Sequence, residues 1–166
     1  MSAINLCVVG LANKFTDDLC DRLSIFLDMY YANVQKILDY ELNVEDMERI
    51  CGKDYLIKKQ KSVIKRICEY EDSIINIDYS LLNNQDICSI IKNCALIIYV
   101  HIDKEKYLSE LEKENINSNE KFICEDLYDD RCVVLQSVAD IIIDYNDDEN
   151  IFFEEFAIKL MNYFKR

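Results

Sequence analysis

Apolar residues fall along this chain in two rhythms, short continuous runs and longer stretches that repeat every three to four positions. Residues 4–9 are apolar except at Asn5, the pattern of a parallel strand buried on both faces. A turn opened by Gly10 follows, and then a run that predicts a helix. Thr16 is its expected N-cap, Asp17 and Asp18 sit in its first turn, and Leu19, Leu23 and Phe26 form its apolar side. Residues 25–28 read as the end of that helix running into a short strand. Over 30–42 the positions Tyr30, Val34, Ile37, Leu38 and Leu42 keep helical spacing. Asn43 is then expected to cap a short helix through Ile50, with Asp46 at the acidic third position.

Gly52 separates these from a longer helix predicted at about 54–70, whose exposed side carries Lys58, Lys59, Lys61 and Lys65. This dense basic patch reads either as a solvated face or as a phosphate or partner site. Residues 73–77 predict a second strand, 78–84 a turn and 85–92 a helix. Residues 95–100 are wholly apolar and rich in β-branched side chains, so this strand belongs centrally in the sheet. His101 closes it, more in the manner of a packed residue than of a catalytic base. Asp103 caps a helix to 114, the polar stretch 115–120 is a loop, and 122–136 is another helix. A last strand over 138–144, an acidic turn and an amphipathic helix to 165 complete the chain. Strand and helix alternate throughout, which predicts an α/β fold: a parallel sheet covered by helices on both faces, with any ligand at the carboxyl edge of the strands. Nothing resembling a linker or repeat interrupts the pattern, and 1–166 reads as one domain.

Composition narrows the function classes. Nineteen basic against 32 acidic residues give a net charge of −13, which repels nucleic acid and anionic membrane surfaces. Eight cysteines fall singly with no C-x-x-C pair, so neither a metal site nor a disulfide framework is expected and a reducing cytoplasm is implied. No apolar run approaches membrane-spanning length. There are two glycines and no proline. Phosphate-binding loops use glycine for positive φ and for close backbone approach, and this chain has few places to do that.

Gly10 stands where a phosphate loop would begin. In G-x-x-x-x-G-K-[ST] backbone N–H groups cradle the phosphates, the lysine neutralises them and the hydroxyl holds magnesium. Counted from Gly10, those last three positions hold Phe15, Thr16 and Asp17. The location fits and the chemistry is absent.

The order of elements resembles the shikimate kinase family over nearly the full length. The resemblance is carried by the opening strand with Gly10 and by Phe26-Leu27-Asp28, which looks like the family's F-[IL]-D-x-D. Residues 40–55 look like the paired short helices before its G-E-x-x-F-R, and Leu96-Ile97-Ile98-Tyr99-Val100 is similar to its V-[VI]-Y-L strand. Arg131 followed by Ala139-Asp140 is similar to its R-x-x-x-Y-x-x-x-A-D ending. What the resemblance implies is a P-loop-kinase fold of the nucleoside-monophosphate-kinase type: a three-layer sandwich around a five-stranded parallel sheet. It also implies an ATP loop at 10–17, a region that binds shikimate, and a lid at about 115–121.

Carried over residue by residue, most working positions are changed. The loop glycines after Gly10 become Asn13 and Phe15, and Thr16 and Asp17 replace lysine and hydroxyl. A carboxylate and a phosphate a few ångströms apart repel by roughly 1 kcal/mol per charge pair even in water. The second aspartate of F-[IL]-D-x-D is Tyr30, the arginine of G-E-x-x-F-R is Ile57, the G-G-G segment is Asp78-Tyr79-Ser80, and the tyrosine after Arg131 is Leu135. The expectation is a shikimate-kinase-like pseudoenzyme that acts by binding, through a protein partner or as a homo-oligomer, with no cofactor. Its site residues would be the remnant loop Gly10, Asn13, Lys14, Thr16 and Asp17, with Arg131 on the acceptor side and no metal. The rival reading is a divergent ATP-dependent small-molecule kinase that uses ATP and magnesium, with Asp28 as catalytic or metal residue, Lys14 or Lys121 as phosphate cation and Arg131 binding the acceptor. A third reading keeps the pocket as a ligand sensor without chemistry.

Overall fold

In the computed structural model, which describes residues 4–166, five parallel strands form one sheet. They are β1 (Leu6–Val9), β2 (Tyr30–Asn33), β3 (Ser73–Asn76), β4 (Leu96–His101) and β5 (Ile141–Asp144), in the spatial order β2-β3-β1-β4-β5. The connections are α1 (Asn13–Leu27), α2 (Val34–Leu42), α3 (Val44–Cys51), α4 (Lys53–Ile67), α5 (Tyr79–Leu82), α6 (Gln85–Cys94), α7 (Lys104–Lys113) and α8 (Ser118–Val138), and α9 (Glu149–Phe164) ends the chain.

The sheet separates two apolar layers because successive side chains of each strand point to opposite faces. Cys7, Val9, Ile75, Ile97 and Tyr99 face one layer, where α4, α6, α7 and α8 supply Ile64, Ile67, Ile91, Tyr107 and Leu135. Leu6, Val8, Ile74, Ile98 and Val100 face the other, against Leu19 and Leu23 of α1 and Phe152 and Phe156 of α9. The result is an α/β three-layer sandwich. The chain leaves β1 toward β2 on one side and crosses from β3 to β4 on the other, so the strand order reverses around β1. Gly10 lies at that reversal, on the carboxyl edge where such sheets bind ligands.

Several local expectations are corrected. The helical spacing over 30–42 conceals β2, and the helix begins only at Val34, with the Asn33 side chain accepting from Lys36 N–H at 2.9 Å. Thr16 is not an N-cap: α1 starts at Asn13, and Thr16 lies buried within it. Phe26 does not join the apolar side and is half exposed. Asn43 does not cap through its side chain, which donates instead to Asp46 Oδ2 at 2.8 Å. Helix α8 extends from Ser118 through Val138, so Ser118 to Lys121 of the expected lid are helical, and β5 begins only at Ile141. Asn117 caps α8 by accepting from Glu120 N–H at 2.8 Å; that bond converts the second half of the polar loop into a first helical turn. Cys68 and Cys94, expected to be single thiols, are paired as a disulfide that ties the end of α4 to the end of α6, with their Cα atoms 5.6 Å apart. Among the described residues no helix is long and apolar enough to cross a membrane.

Candidate functional site

The turn after β1 is closed from within. The Thr16 hydroxyl donates to the Ala12 carbonyl at 2.9 Å, and the Thr16 N–H donates to the same oxygen at 2.9 Å. That hydroxyl fills the space above Gly10: a Cβ at Gly10 would collide with Thr16 Oγ1, which is why glycine is required here. One main-chain donor and one side-chain donor at the start of α1 are also taken. Lys14 N–H donates to Glu114 Oε1 at 3.1 Å, and Asn13 Nδ2 donates to Asp78 Oδ2 at 2.7 Å. Helix N-termini attract anions because their first N–H groups have no partner within the helix. Here the anion is a carboxylate of the chain itself.

Asp17, one turn further on, is pinned toward the sheet. Its carboxylate accepts from Tyr31 Oη and from Asn33 Nδ2 at 2.8 Å, and Lys36 Nζ lies 2.7 Å from its other oxygen. Asn76 Nδ2 completes the group by donating to Tyr31 Oη at 3.3 Å. Burial pushes the Asp17 carboxyl up, but the hydrogen bonds from Lys36, Tyr31 and Asn33 together outweigh it and hold the group below the usual carboxylate range. Burial, reinforced by the neighbouring Asp17, pushes the Tyr31 hydroxyl up, so it remains a donor.

On the outer side of the turn, Phe15 meets the ring of Tyr145 edge-on, with centroids 5.0 Å apart. Lys106 Nζ stands 5.3 Å from the Phe15 centroid and 5.8 Å from that of Tyr145, within reach of both π-faces. The same ammonium bridges Glu110 at 3.2 Å and Asp147 at 3.3 Å. Partial burial lowers its pKa, but the two carboxylates outweigh that and raise it. This wall belongs to a cleft of about 390 Å³ that gathers four cations, Lys14, Arg22, Lys106 and Lys113, and three carboxylates, Asp18, Glu110 and Glu114. Lys113 also pairs with Glu110, at 2.9 Å. The cleft is therefore nearly neutralised from within.

On α8, where the resemblance would place an acceptor residue, Arg131 is held by aromatic groups. Its guanidinium lies 5.0 Å from the Tyr79 ring centroid and donates to Tyr107 Oη at 3.4 Å. The adjoining pocket measures about 100 Å³. The structure thus gathers Gly10, Asn13, Lys14, Thr16 and Asp17 in one turn and leaves Arg131 apart on α8. Asp28 is not brought to the turn at all. It caps the far end of α1 in the left-handed conformation, at the opposite edge of the sheet, about 20 Å along a helix of this length. Phe26-Leu27-Asp28 is accordingly the end of a helix, and the strand that follows ends in Asn33. Lys121 pairs with Glu112, Ile57 lies half-buried on α4 and Leu135 is core. His101 Nδ1 lies 2.9 Å from the Tyr99 hydroxyl, as expected of a packed histidine. In the basic patch, Lys61 reaches Asp86 of α6, and Lys59 lies over the Tyr55 ring at 5.4 Å. Among the described residues no group of three or more His, Cys, Asp or Glu side chains is placed to hold a metal ion.

Glu114, Tyr31, Lys36, Lys106 and Tyr145 were not anticipated. They meet the turn from β2, α2, the two ends of α7 and the segment after β5, and no local spacing announces them; only the N-cap at Asp103, which sets Lys106 in the first turn of α7, is a local signal.

Known structures place this arrangement in a family of folds. A shikimate kinase from Acinetobacter baumannii, in complex with shikimate, superimposes with a TM-score of 0.79 over 96% of this chain and 94% of its own, at 13% identity. The chain has the shikimate-kinase fold. A shikimate kinase from Aquifex aeolicus vf5 is similar with a TM-score of 0.74, 17% identity and coverage of 96% and 97%. A gluconokinase from Sinorhizobium meliloti 1021 gives 0.57 and 11% over 99% of both chains. Neither a comparison with protein-family models nor one with curated protein sequences finds a match. At these identities the shikimate-kinase likeness is a likeness of fold, and the chemistry must be argued from the residues.

Proposed function

We infer that this shikimate-kinase-like domain is a pseudoenzyme: it does not transfer phosphate, and it acts as a binding or regulatory module through a protein partner. The observation that carries the reading is the Glu114 carboxylate on the Lys14 N–H. Phosphoryl transfer depends on positioning and on neutralising charge at the transferred group. At this turn the Lys14 N–H is satisfied, a threonine hydroxyl fills the space above Gly10, and Asp17 and Lys36 neutralise each other. ATP and magnesium do not fit such a turn in the usual pose, since the phosphates would have to displace a carboxylate and lie beside two more. On the acceptor side Arg131 is engaged by Tyr79 and Tyr107 rather than left free. The net charge of −13 disfavours nucleic acid as the partner.

The test is a coupled assay of ADP release with purified protein, ATP, magnesium and shikimate. The expected rate equals that of a heat-inactivated control. Turnover above that control, abolished by Lys14→Ala, refutes the reading.

One observation favours a second reading, a divergent ATP-dependent small-molecule kinase. Lys14, Arg22, Lys106 and Lys113 line one cleft, and among the described residues the Lys14 ammonium has no carboxylate within ion-pair distance. Titration with a fluorescent ATP analogue separates the two: saturable binding lost in Lys14→Ala supports the kinase, and its absence supports the pseudoenzyme.

A further inference from the structure

The two edges of the sheet are treated differently. At the β5 edge, Tyr145 N–H donates to the His101 carbonyl at 2.9 Å, so by the alternation of a parallel ladder Ile142 turns its main chain outward. That carbonyl is capped by Lys159 Nζ at 2.9 Å. The lysine comes from α9, and covering an edge from a neighbouring element blocks further pairing.

At the β2 edge the same reasoning finds open groups. Tyr30 N–H donates to the Asp72 carbonyl at 2.9 Å, so Tyr30 and Ala32 face β3 and Tyr31 turns its N–H and C=O outward, followed by the N–H of Asn33. Beside them lies a concavity of about 520 Å³ lined by Tyr30, Tyr31, Ala32, Tyr70 and Glu71. Tyr30 is 77% exposed and Tyr70 44%, an aromatic pair left in water beside unpaired backbone. The charge lining it is negative: Glu71 is in the wall, Glu69 and Asp72 flank it in the chain, Arg66 nearby is paired with Glu41, and among the described residues no lysine or arginine lines the concavity.

We propose that the open edge of β2 is a docking site for an extended peptide segment of a partner protein, added beside Tyr31 as a further strand and carrying lysine or arginine next to an apolar or aromatic residue. Main-chain bonds to Tyr31 and Asn33 supply the register, the Tyr30–Tyr70 surface takes the apolar side chain, and Glu71 takes the cation. A second copy of this chain is a poor occupant. Pairing β2 with its own image brings the Glu71 carboxylates of two chains, each of net charge −13, to one interface. The inference deepens the reading of the domain as a binding module, but ATP turnover would refute that reading and leave the edge assignment to be judged by peptide binding alone.

The experiment is selection of a random nine-residue peptide library on the immobilised full chain, followed by synthesis of the enriched peptides. Enrichment of alternating apolar sequences with a terminal lysine or arginine is expected. Peptide binding should slow hydrogen exchange at the Tyr31 and Asn33 amides, and affinity should fall about tenfold on replacing Glu71 by lysine or on N-methylating the central residue of the peptide. Because Glu71 is exposed, the substitution leaves the fold intact, and the N-methylated peptide tests the main-chain bonds with no change to the protein. The proposal is overturned if no peptide is enriched, if the enriched peptides are acidic, or if exchange is slowed elsewhere. It is also overturned if sedimentation shows a dimer whose hydrogen-exchange protection covers Tyr31 and Asn33.

Discussion

Glu114 Oε1 accepts a 3.1 Å hydrogen bond from the backbone N–H of Lys14, a residue one hundred positions earlier in the chain. The bond joins the end of α7 to the start of α1 and puts a negative charge at the positive end of a helix, where a phosphate would otherwise be stabilised.

Glu114→Gln keeps the shape of that contact and removes its charge. The loss is expected to be small, about 0.5–1.5 kcal/mol, because the bond is exposed to solvent. Urea denaturation measures it. ADP release should stay at background in the variant, since Thr16, Phe15 and Asp17 still occupy the turn. A variant that turns over ATP would show that Glu114 alone silences the site.

Gly10→Ala is expected to destabilise by about 1–3 kcal/mol, because the added methyl collides with the buried Thr16 hydroxyl. Thr16→Ala removes that hydroxyl and leaves the Val100 carbonyl as the next neighbour, at 3.4 Å. The double variant should therefore be more stable than the sum of the two single changes predicts. A double-mutant cycle by thermal or urea unfolding reads the difference; strict additivity would exclude the clash.

These contacts explain how much was legible beforehand. β1 and β4 announced themselves because both are buried on both faces, so burial wrote uninterrupted apolar runs such as Leu96 to Val100. β2 pairs on one side only and reads Tyr-Tyr-Ala-Asn. The exposed Tyr30 and half-buried Tyr31 merge with the helical spacing of Val34, Ile37 and Leu38, so the pattern extends the helix over the strand. The break is marked by Asp28 in the left-handed conformation, a weak signal for a residue that also suits helix ends and loops. At the site, the missing loop residues were readable because they lie within one short segment. Their replacements were not: Glu114 and Asp78 reach the turn across the fold, and only the sheet order brings their segments together.

Arg131 offers a test of its aromatic seat. Arg131→Ala should cost about 1–2 kcal/mol through loss of the contact with Tyr79 and the bond to Tyr107. Arg131→Lys should recover only part of this, since an ammonium lacks the planar guanidinium that stacks on Tyr79 while donating to Tyr107. Chemical denaturation of the three proteins checks the order. Equal stability of all three would mean that the guanidinium is not held and is free to meet a ligand.

Asp17 makes stability depend on pH in a direction that can be stated in advance. Its carboxyl is held below the usual range in the folded chain, whereas in the unfolded chain it titrates near about 4. The folded state thus prefers the ionised form. The resulting stability is fully present above the unfolded value and is lost as the pH falls through the lower, folded value. Asp17→Asn removes the charge that Lys36 and Tyr31 face, and should cost about 1–3 kcal/mol at neutral pH. Below pH about 4 the wild-type curve should fall toward that of the variant. Glu110 and Asp86 are also held below their usual ranges, but they titrate alike in both proteins and cancel in the difference. Urea midpoints from pH 7 down to pH 3 therefore isolate Asp17. Curves that stay parallel over that range would mean that the carboxylate does not gain its partners on folding, and the neutralised turn would lose its main internal anion.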